Sequence, residues 1–360
     1  MTRIPKKRVR LSASKIDTLE TCSWMYDCQY EKKLPNFDNH GSSRGSICHG
    51  ILEHLVNPKH LDKLTFVLNE GSPWKHPVVA RYLEKFAIAK GLDLDQEVLN
   101  MRNTAFVSHR DMIEEMLMMG LRNDFLDGDA GKVITEKYCR VEIDSGGKRF
   151  VVTGIIDKIF VRKDGEEVDI TDYKTSKRKH NAKTIGRNIQ ALIYSYFCRR
   201  EYPNAKKIRF RFMFLRFPRS PWVEAMPFPT SYSDGFEYYL SHLYKYLENF
   251  GKKNAMANFA RFGKSPFICG KNGFKLRYDT KTKKKEETSE PHWKCPYKDG
   301  FDYWAIIDED ENNIVSNIDV RKLPEPKTGK GERLVKRHYR GCPAWHAESG
   351  AIKKQWRTLS

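Results

Sequence analysis

The 360-residue sequence has no CxxC pair, no G-x-x-x-x-G-K-[ST] run and no internal repeat. Without the phosphate-binding run, the chain shows no helicase or other nucleotide-driven motor of its own. No apolar stretch approaches the roughly 20 residues that a membrane span requires. Eight widely scattered cysteines, in a chain of this length, argue against a disulfide framework and leave core thiols or metal ligands. Acid is also in short supply. Against 65 Lys and Arg stand 46 Asp and Glu, a formal charge of +19, which is the footprint of a polyanion partner. The opening MTRIPKKRVRLSASK is basic with no hydrophobic segment behind it, so it reads as a basic arm and not as a secretory signal. Hydrophobic residues make up 39%, enough for a packed core.

The pattern along the chain predicts α/β architecture. Residues 12–32 read as a helix capped by Ser12 or Ser14, Gly45–Val56 as a second, and residues 76–126 as mostly helical, with a methionine stripe at Met112–Met119 that belongs to the core. Strands follow at Val133–Ile143, Arg149–Val161 and Val168–Lys174, with turns at Ser145-Gly146-Gly147 and Lys163-Asp164-Gly165. A helix is expected at about Thr184–Arg200, a strand at Lys207–Phe217 and a helix at Phe236–Phe250. Residues 274–290 read as a hairpin or loop, and Ala305–Ile318 carries a hairpin turn at Asp308–Asn313. The expected domains are a basic arm and N-terminal helix (1–44), a core (45–250) with a helical insertion at about 60–130, and a C-terminal cysteine-containing appendage (251–360).

The functional reading turns on DITDYKTSK, residues 169–177. Asp172 and Lys174 are one residue apart, so a strand points both to one face. They are either a surface ion pair or a metal ligand beside a charge stabiliser. On the preceding strand Asp157 shares a face with Ile155, Ile159 and Val161. A carboxylate among apolar neighbours is costly unless something offsets its desolvation, and a divalent cation does so. Adjacent antiparallel strands would bring Asp157 and Asp172 to one ion. Mg²⁺ suits such hard oxygen ligands. Lys174 would then orient the attacking water or neutralise charge on a scissile phosphate. Upstream, Gly45-Ser46-Ile47-Cys48-His49 opens a helix. Gly45 allows close backbone approach, His49 is a candidate imidazole ligand, and Arg44 is a candidate phosphate contact. Downstream, Gln190 and Tyr194 share a helical face and are placed to contact an entering strand.

Taken in order, G-x-x-x-H on a helix, G-I-I-D on a strand, D-Y-K-T on the next and Q-x-x-x-Y on a helix, these motifs resemble the PD-(D/E)XK nuclease superfamily. The resemblance covers residues 11–200, beginning with LSASKIDTLETC, and is to the RecB-like branch, which includes the CRISPR-associated exonucleases. It implies a restriction-endonuclease-like core, a central mixed sheet flanked by helices. It also implies His49, Asp157, Asp172 and the Tyr173 carbonyl as ligands of Mg²⁺ or Mn²⁺, with Lys174 as the catalytic lysine and Gln190 and Tyr194 as an accessory motif. Glu136, in ITEKYCRVEI, matches a glutamate often found on the first strand.

Many members of that branch hold a [4Fe–4S] cluster with one cysteine before the core and three closely spaced ones after it. Cys22 stands where the first would be, and Cys295-Pro296-Tyr297 resembles part of the later group. The spacing departs from the pattern: Cys269 lies twenty-six residues before Cys295, position 301 is Phe301, and Cys342 is far downstream. Cys22, Cys269, Cys295 and Cys342 are therefore candidates for an iron–sulfur cluster. Zn²⁺ is the second option, through His292-x-x-Cys295 and Cys342-x-x-x-His346. Ordinary buried thiols are the third, as expected for Cys28, Cys48, Cys139 and Cys198.

The resulting expectation is a metal-dependent deoxyribonuclease, exonuclease rather than endonuclease, and the resemblance implies 5′-phosphate and 3′-hydroxyl product ends. It would serve DNA recombination, repair or phage DNA processing in the cytoplasm of a bacterial or phage-infected cell. It would act on open ends or single strands, or beside a helicase or recombination partner. The rival readings are a non-catalytic nucleic-acid-binding protein and an assembly subunit that kept the fold.

Overall fold

Asn39 accepts a hydrogen bond from the Ser42 backbone N–H at 2.9 Å, which caps helix α1 (His40–Val56) and satisfies one of its orphan donors. Ile47, Ile51, Leu52 and Leu55 recur at helical spacing on α1 and are fully buried. Helices α2 (Pro77–Ala89) and α3 (His109–Asn123) supply Val79, Leu83, Met112, Ile113, Met116 and Leu117 to the same apolar cluster, so the methionine stripe is core. The computed structural model describes residues 9–36, 39–100, 102–123, 131–162, 165–179, 188–225, 228, 231–263, 266–270 and 272–346. The basic arm up to residue 8 and the turn residues Lys163 and Asp164 lie outside them.

Six strands form a mixed sheet: β1 (Arg10–Leu11), β2 (Gly131–Ser145), β3 (Lys148–Arg162), β4 (Glu167–Lys174), β5 (Lys207–Phe214) and β6 (Trp222–Ala225). β2 and β3 pair antiparallel, from Gly131↔Arg162 to Ser145↔Lys148. The other edge of β3 is divided. Val151 and Val152 pair in parallel with β1, and Lys158–Arg162 pair antiparallel with β4. β4 runs parallel to β5 along its length, and β5 pairs antiparallel with β6. A parallel neighbour needs a crossover, and helix α4 (Ile189–Glu201) provides it, capped by the Asn188 side chain. β4 is buried from Val168 to Tyr173, as befits a strand covered on both faces.

Several predicted boundaries move. Residues 12–32 do not form one helix: Ala13–Thr21 is helical, Cys22 is extended (φ −160°, ψ 108°), and helix resumes at Ser23. The Ser23 N–H and hydroxyl both bond to the Asn258 carbonyl, which stabilises the break. The helical stretch 76–126 is interrupted by a hairpin, Glu97–Leu99 with Phe106–Ser108. β5 ends at Phe214, where the chain turns. The helix expected from Thr184 begins at Ile189, because Asn188 is extended (φ −73°, ψ 117°) and caps it; residues 180–187 lie outside the described set.

The chain divides into two compact units. One comprises residues 1–13, 38–245 and 275–290, and the other residues 14–37, 246–274 and 291–360. The first holds the mixed sheet and α1–α4. The second is built on a three-stranded antiparallel sheet with Phe301–Ile307 between Asn313–Asn317 and Arg333–Tyr339. No helix among the described residues is long and apolar enough to cross a membrane.

α4 sits close on β3 because Gly154 has no side chain. A Cβ there would lie 2.8 Å from Tyr194 Cε1 and 3.2 Å from Phe197 Cε2. Gly154→Ala should therefore destabilise the protein by about 1–3 kcal/mol through overpacking. Urea denaturation of the purified variant measures it, and an unchanged midpoint would refute the contact.

Candidate active site

The antiparallel ladder of β3 and β4 stops at Lys158↔Thr171. Beyond it, the Tyr173 backbone N–H donates to a side chain, Asp157 Oδ2, at 2.8 Å. The two strands splay here, and Asp157 and Asp172 face the gap. In a strand the N–H and C=O of one residue point to the same edge, so the Tyr173 carbonyl also faces this side. Asp157 does not sit in a wholly apolar row as its neighbours suggest. Ile159 is fully buried but Ile155 is 48% exposed, so this face opens to solvent.

α1 brings the imidazole. A Cβ at Gly45 would lie 2.8 Å from Thr175 Oγ1, so the glycine lets α1 approach the end of β4. His49, one turn on, places Nδ1 3.2 Å from Asp157 Oδ2, with its ring edge-on to Tyr173. Burial works against the charged imidazole, but Asp157 and Asp172 outweigh it and raise the pKa.

Asp172 is 1% exposed. Gln190 Nε2 donates to its Oδ1 at 2.5 Å, and Lys174 Nζ lies 2.5 Å from Oδ2. Gln190 Oε1 accepts from Lys174 at 2.8 Å, so one amide orients both members of the Asp-x-Lys pair. Tyr194 OH lies 3.2 Å from Gln190 Nε2, and Lys174 also lies over the Phe212 ring. The pair is thus not surface decoration. Desolvation pushes the Asp172 carboxyl up to about 6, against the attraction of Lys174 and with the repulsion of Asp157.

Two glutamates complete the acidic side. In the register of β2, Glu136 falls opposite Asp157, between the pairs Thr135↔Lys158 and Lys137↔Ile156. Its φ of +47° takes it out of strand geometry, strain of the kind concentrated at functional sites. Burial, with Glu53 and Asp157 nearby, pushes its carboxyl up to about 7. Glu53 is the residue that the sequence reading missed. It follows His49 by one helical turn, the spacing that puts both on one face, and burial and Asp157 raise its pKa.

Arg44 is placed otherwise than beside the carboxylates. It is 8% exposed, and its guanidinium bonds His109 Nδ1 at 2.8 Å.

The donors suit a hard divalent cation: carboxylates, an imidazole and a strand carbonyl, with Asp172 Oδ2 buried and faced by the Lys174 ammonium. As the side chains stand, no three His, Cys, Asp or Glu among the described residues converge at metal-binding distance. The carboxylate of Asp172 is matched by the Lys174 ammonium.

In the second unit, Cys22, Cys269, Cys295 and Cys342 line one small cavity of about 20 Å³. Backbone bonds gather them. Cys295 N–H donates to the Cys269 carbonyl at 3.2 Å, Lys298 N–H to Cys295 at 3.0 Å, and Cys342 N–H to Lys298 at 3.1 Å. Burial is the main cause that pushes Cys295 up to about 11 and Cys342 up to about 12, and the nearby Cys22 and Cys269 act in the same direction on both. Arg261 and Lys298 lie over the Trp345 ring at 4.3 and 3.7 Å, and all three line the same cavity. His292 does not line it, and the His346 side chain lies outside the described residues.

A solved structure titled "Crystal structure of SSO0001" aligns with 68% of this chain and 80% of its own, at 15% identity and a TM-score of 0.31, too loose to bear on the site. No curated protein matches the sequence. A family profile does match: that of the PD-(D/E)XK nuclease superfamily, over residues 10–269, a span that contains every residue of the splayed-strand site. Because the profile spans well over half of the chain, the chain belongs to the PD-(D/E)XK nuclease superfamily.

Proposed function

We propose that this protein is a divalent-metal-dependent DNA exonuclease of the RecB-like branch, with a restriction-endonuclease-like core. The observation that carries the reading is the arrangement at the splayed end of β3 and β4: the buried carboxylate of Asp172, the partly buried one of Asp157, a lysine held between Asp172 and Gln190, and an imidazole bonded to Asp157. The net charge of +19 fits a nucleic-acid substrate.

His49, Asp157, Asp172 and the Tyr173 carbonyl would hold Mg²⁺ or Mn²⁺, with Glu53 and Glu136 beside them. The chemistry supplied there is activation of water and polarisation of a phosphoryl oxygen. The protein's own groups do the rest. Gln190 fixes Asp172 and Lys174 relative to each other. Lys174 neutralises charge that builds on the scissile phosphate in the transition state. Its aromatic neighbour Phe212 and the amide of Gln190 limit its rotamers, so little reorganisation accompanies the step. Tyr194 supports Gln190 from the next turn of α4.

Cys22, Cys269, Cys295 and Cys342 would hold a [4Fe–4S] cluster with a structural role. Four thiols surround one cavity without closing on a single point, and Arg261 and Lys298 stand by to balance thiolate charge. The zinc arrangement through His292 lacks support from the cavity lining.

Asp172→Ala should abolish cleavage of linear DNA, a loss of at least about 10³-fold, while binding survives because affinity comes from dispersed phosphate contacts. Persisting metal-dependent cleavage by the pure variant would refute the assignment. Lys174→Ala should lower turnover by about 10²-fold or more while metal still binds, measured by single-turnover cleavage and metal titration. Cys295→Ser should lower the unfolding midpoint more than it lowers the turnover of folded molecules, since a closed site stabilises through folding. Iron and acid-labile sulfide in anaerobically purified wild type would identify the cluster, whereas zinc without colour would replace it and neither would leave four core thiols.

A further inference from the structure

A second cleft, of about 540 Å³, opens in the first unit, lined by Arg102, Glu115, Lys177, Arg216, Arg219 and Ser220 among others. It lies at the carboxyl ends of β4 and β5, one step beyond the active-site lysine. Lys177 follows Lys174 by three residues, and the Leu215 N–H donates to the Lys174 carbonyl at 2.9 Å, which sets Arg216 beside the end of β4. Arg216 is only 6% exposed. Among the described residues its Nε has no hydrogen-bond partner, and its Nη2 reaches nothing better than Met112 Sδ at 3.5 Å. A buried guanidinium without a carboxylate is costly unless a ligand supplies the counter-charge.

The surrounding charge is unbalanced in the same direction. Arg44, held by His109, does not line the cleft, but its charge acts on both Lys177 and Arg216. Burial and the neighbouring cations push His109 down to about 4, so it is neutral and accepts the Arg44 proton donor at Nδ1. Burial, then Arg44, pushes Arg216 down to about 10, with Glu115 opposing. Lys177 reaches solvent, yet desolvation at the cleft wall and the charges of Lys275, Arg216 and Arg44 push it down to about 8. Glu290 eases this, but it is already bonded to Lys275 and to the Leu99 N–H.

We propose that this cleft is a subsite for the terminal phosphate monoester of the nucleic-acid strand being processed. The inference rests on the nuclease reading and refines it. A monoester is a dianion with three free oxygens, whereas an internal phosphodiester brings one negative charge. Arg216 and Lys177 line the cleft together with Arg102 and Arg219, a concentration of cations that matches the dianion. A fork-shaped guanidinium is suited to two of its oxygens. Anchoring the end beside Lys174 fixes the distance from terminus to scissile bond, which is how a nuclease without a motor acts from an end.

The test is competition binding to the full-length protein in chelator, with cleavage measured separately in Mg²⁺. One oligonucleotide sequence is used with a 5′-phosphate, a 3′-phosphate or hydroxyls at both ends. One phosphorylated form should bind about tenfold more tightly than the hydroxyl form, as for loss of a charge-assisted contact. The preferred end gives the polarity. Lys177→Gln, at an exposed position that does not endanger folding, and Arg216→Met, checked by circular dichroism, should both abolish the preference. Equal binding of all three forms by a protein that cleaves DNA would overturn the subsite alone. A uniform loss of binding in both variants, with no dependence on the end, would reduce the cleft to a backbone contact and also overturn it. Failure to bind or cleave any form would overturn the nuclease reading as well.

Discussion

The hydrogen bond from the Tyr173 N–H to Asp157 Oδ2 is the constraint on which the site depends. A ladder that continued past Lys158↔Thr171 would spend that donor on a backbone carbonyl and close the strands together. Giving the donor a carboxylate instead ends the pairing without leaving a buried N–H unsatisfied. It also sets Asp157 against the start of the Asp-x-Lys segment. The remaining contacts follow from the resulting gap: His49 reaches the same oxygen from α1, and Gln190 enters from α4 to hold Asp172 and Lys174. Two glycines make the approach of these helices feasible, Gly45 against Thr175 and Gly154 against Tyr194.

Charge is segregated around the end of β4. On one side burial and mutual repulsion raise the carboxyls of Glu53, Glu136 and Asp172. On the other, burial lowers Lys177, Arg216 and Arg44, and neighbouring cations add to it for Lys177 and Arg216. Each group alone is destabilising, because like charges share a poorly solvated region. Together they complement a ligand that carries a cation on one side and anionic phosphate on the other. The lysine between them already performs a small version of that neutralisation on Asp172.

What the sequence reveals depends on whether a signal is local. Asp157, Asp172 and Lys174 were legible because strand periodicity and a short hairpin fix their relative positions, and the six-strand sheet confirms that pairing. The helix α1 and its burial pattern were legible for the same reason. Glu53 was not singled out, although the four-residue spacing from His49 was there to be read. The sharp turn in backbone at Glu136 has no sequence signature, since a glutamate is not expected at positive φ. The break at Cys22 depends on the bond from Ser23 to Asn258, 235 residues further on, a partner that local propensity cannot supply.

The cysteines show how spacing can fail while geometry survives. Twenty-six residues separate Cys269 from Cys295, yet a direct backbone bond joins them. The intervening chain forms a hairpin, Phe274–Tyr278 with Lys285–Pro291, whose two ends leave and return at neighbouring points. Loop-closure entropy grows only logarithmically with length, so lengthening such an excursion is cheap once its ends are held. Cys342 is tied in turn to Lys298, three residues beyond Cys295, and Cys22 enters through a broken helix. The quantity under constraint is therefore the distance between thiols around one cavity. A linear motif captures that distance only where no hairpin has been inserted.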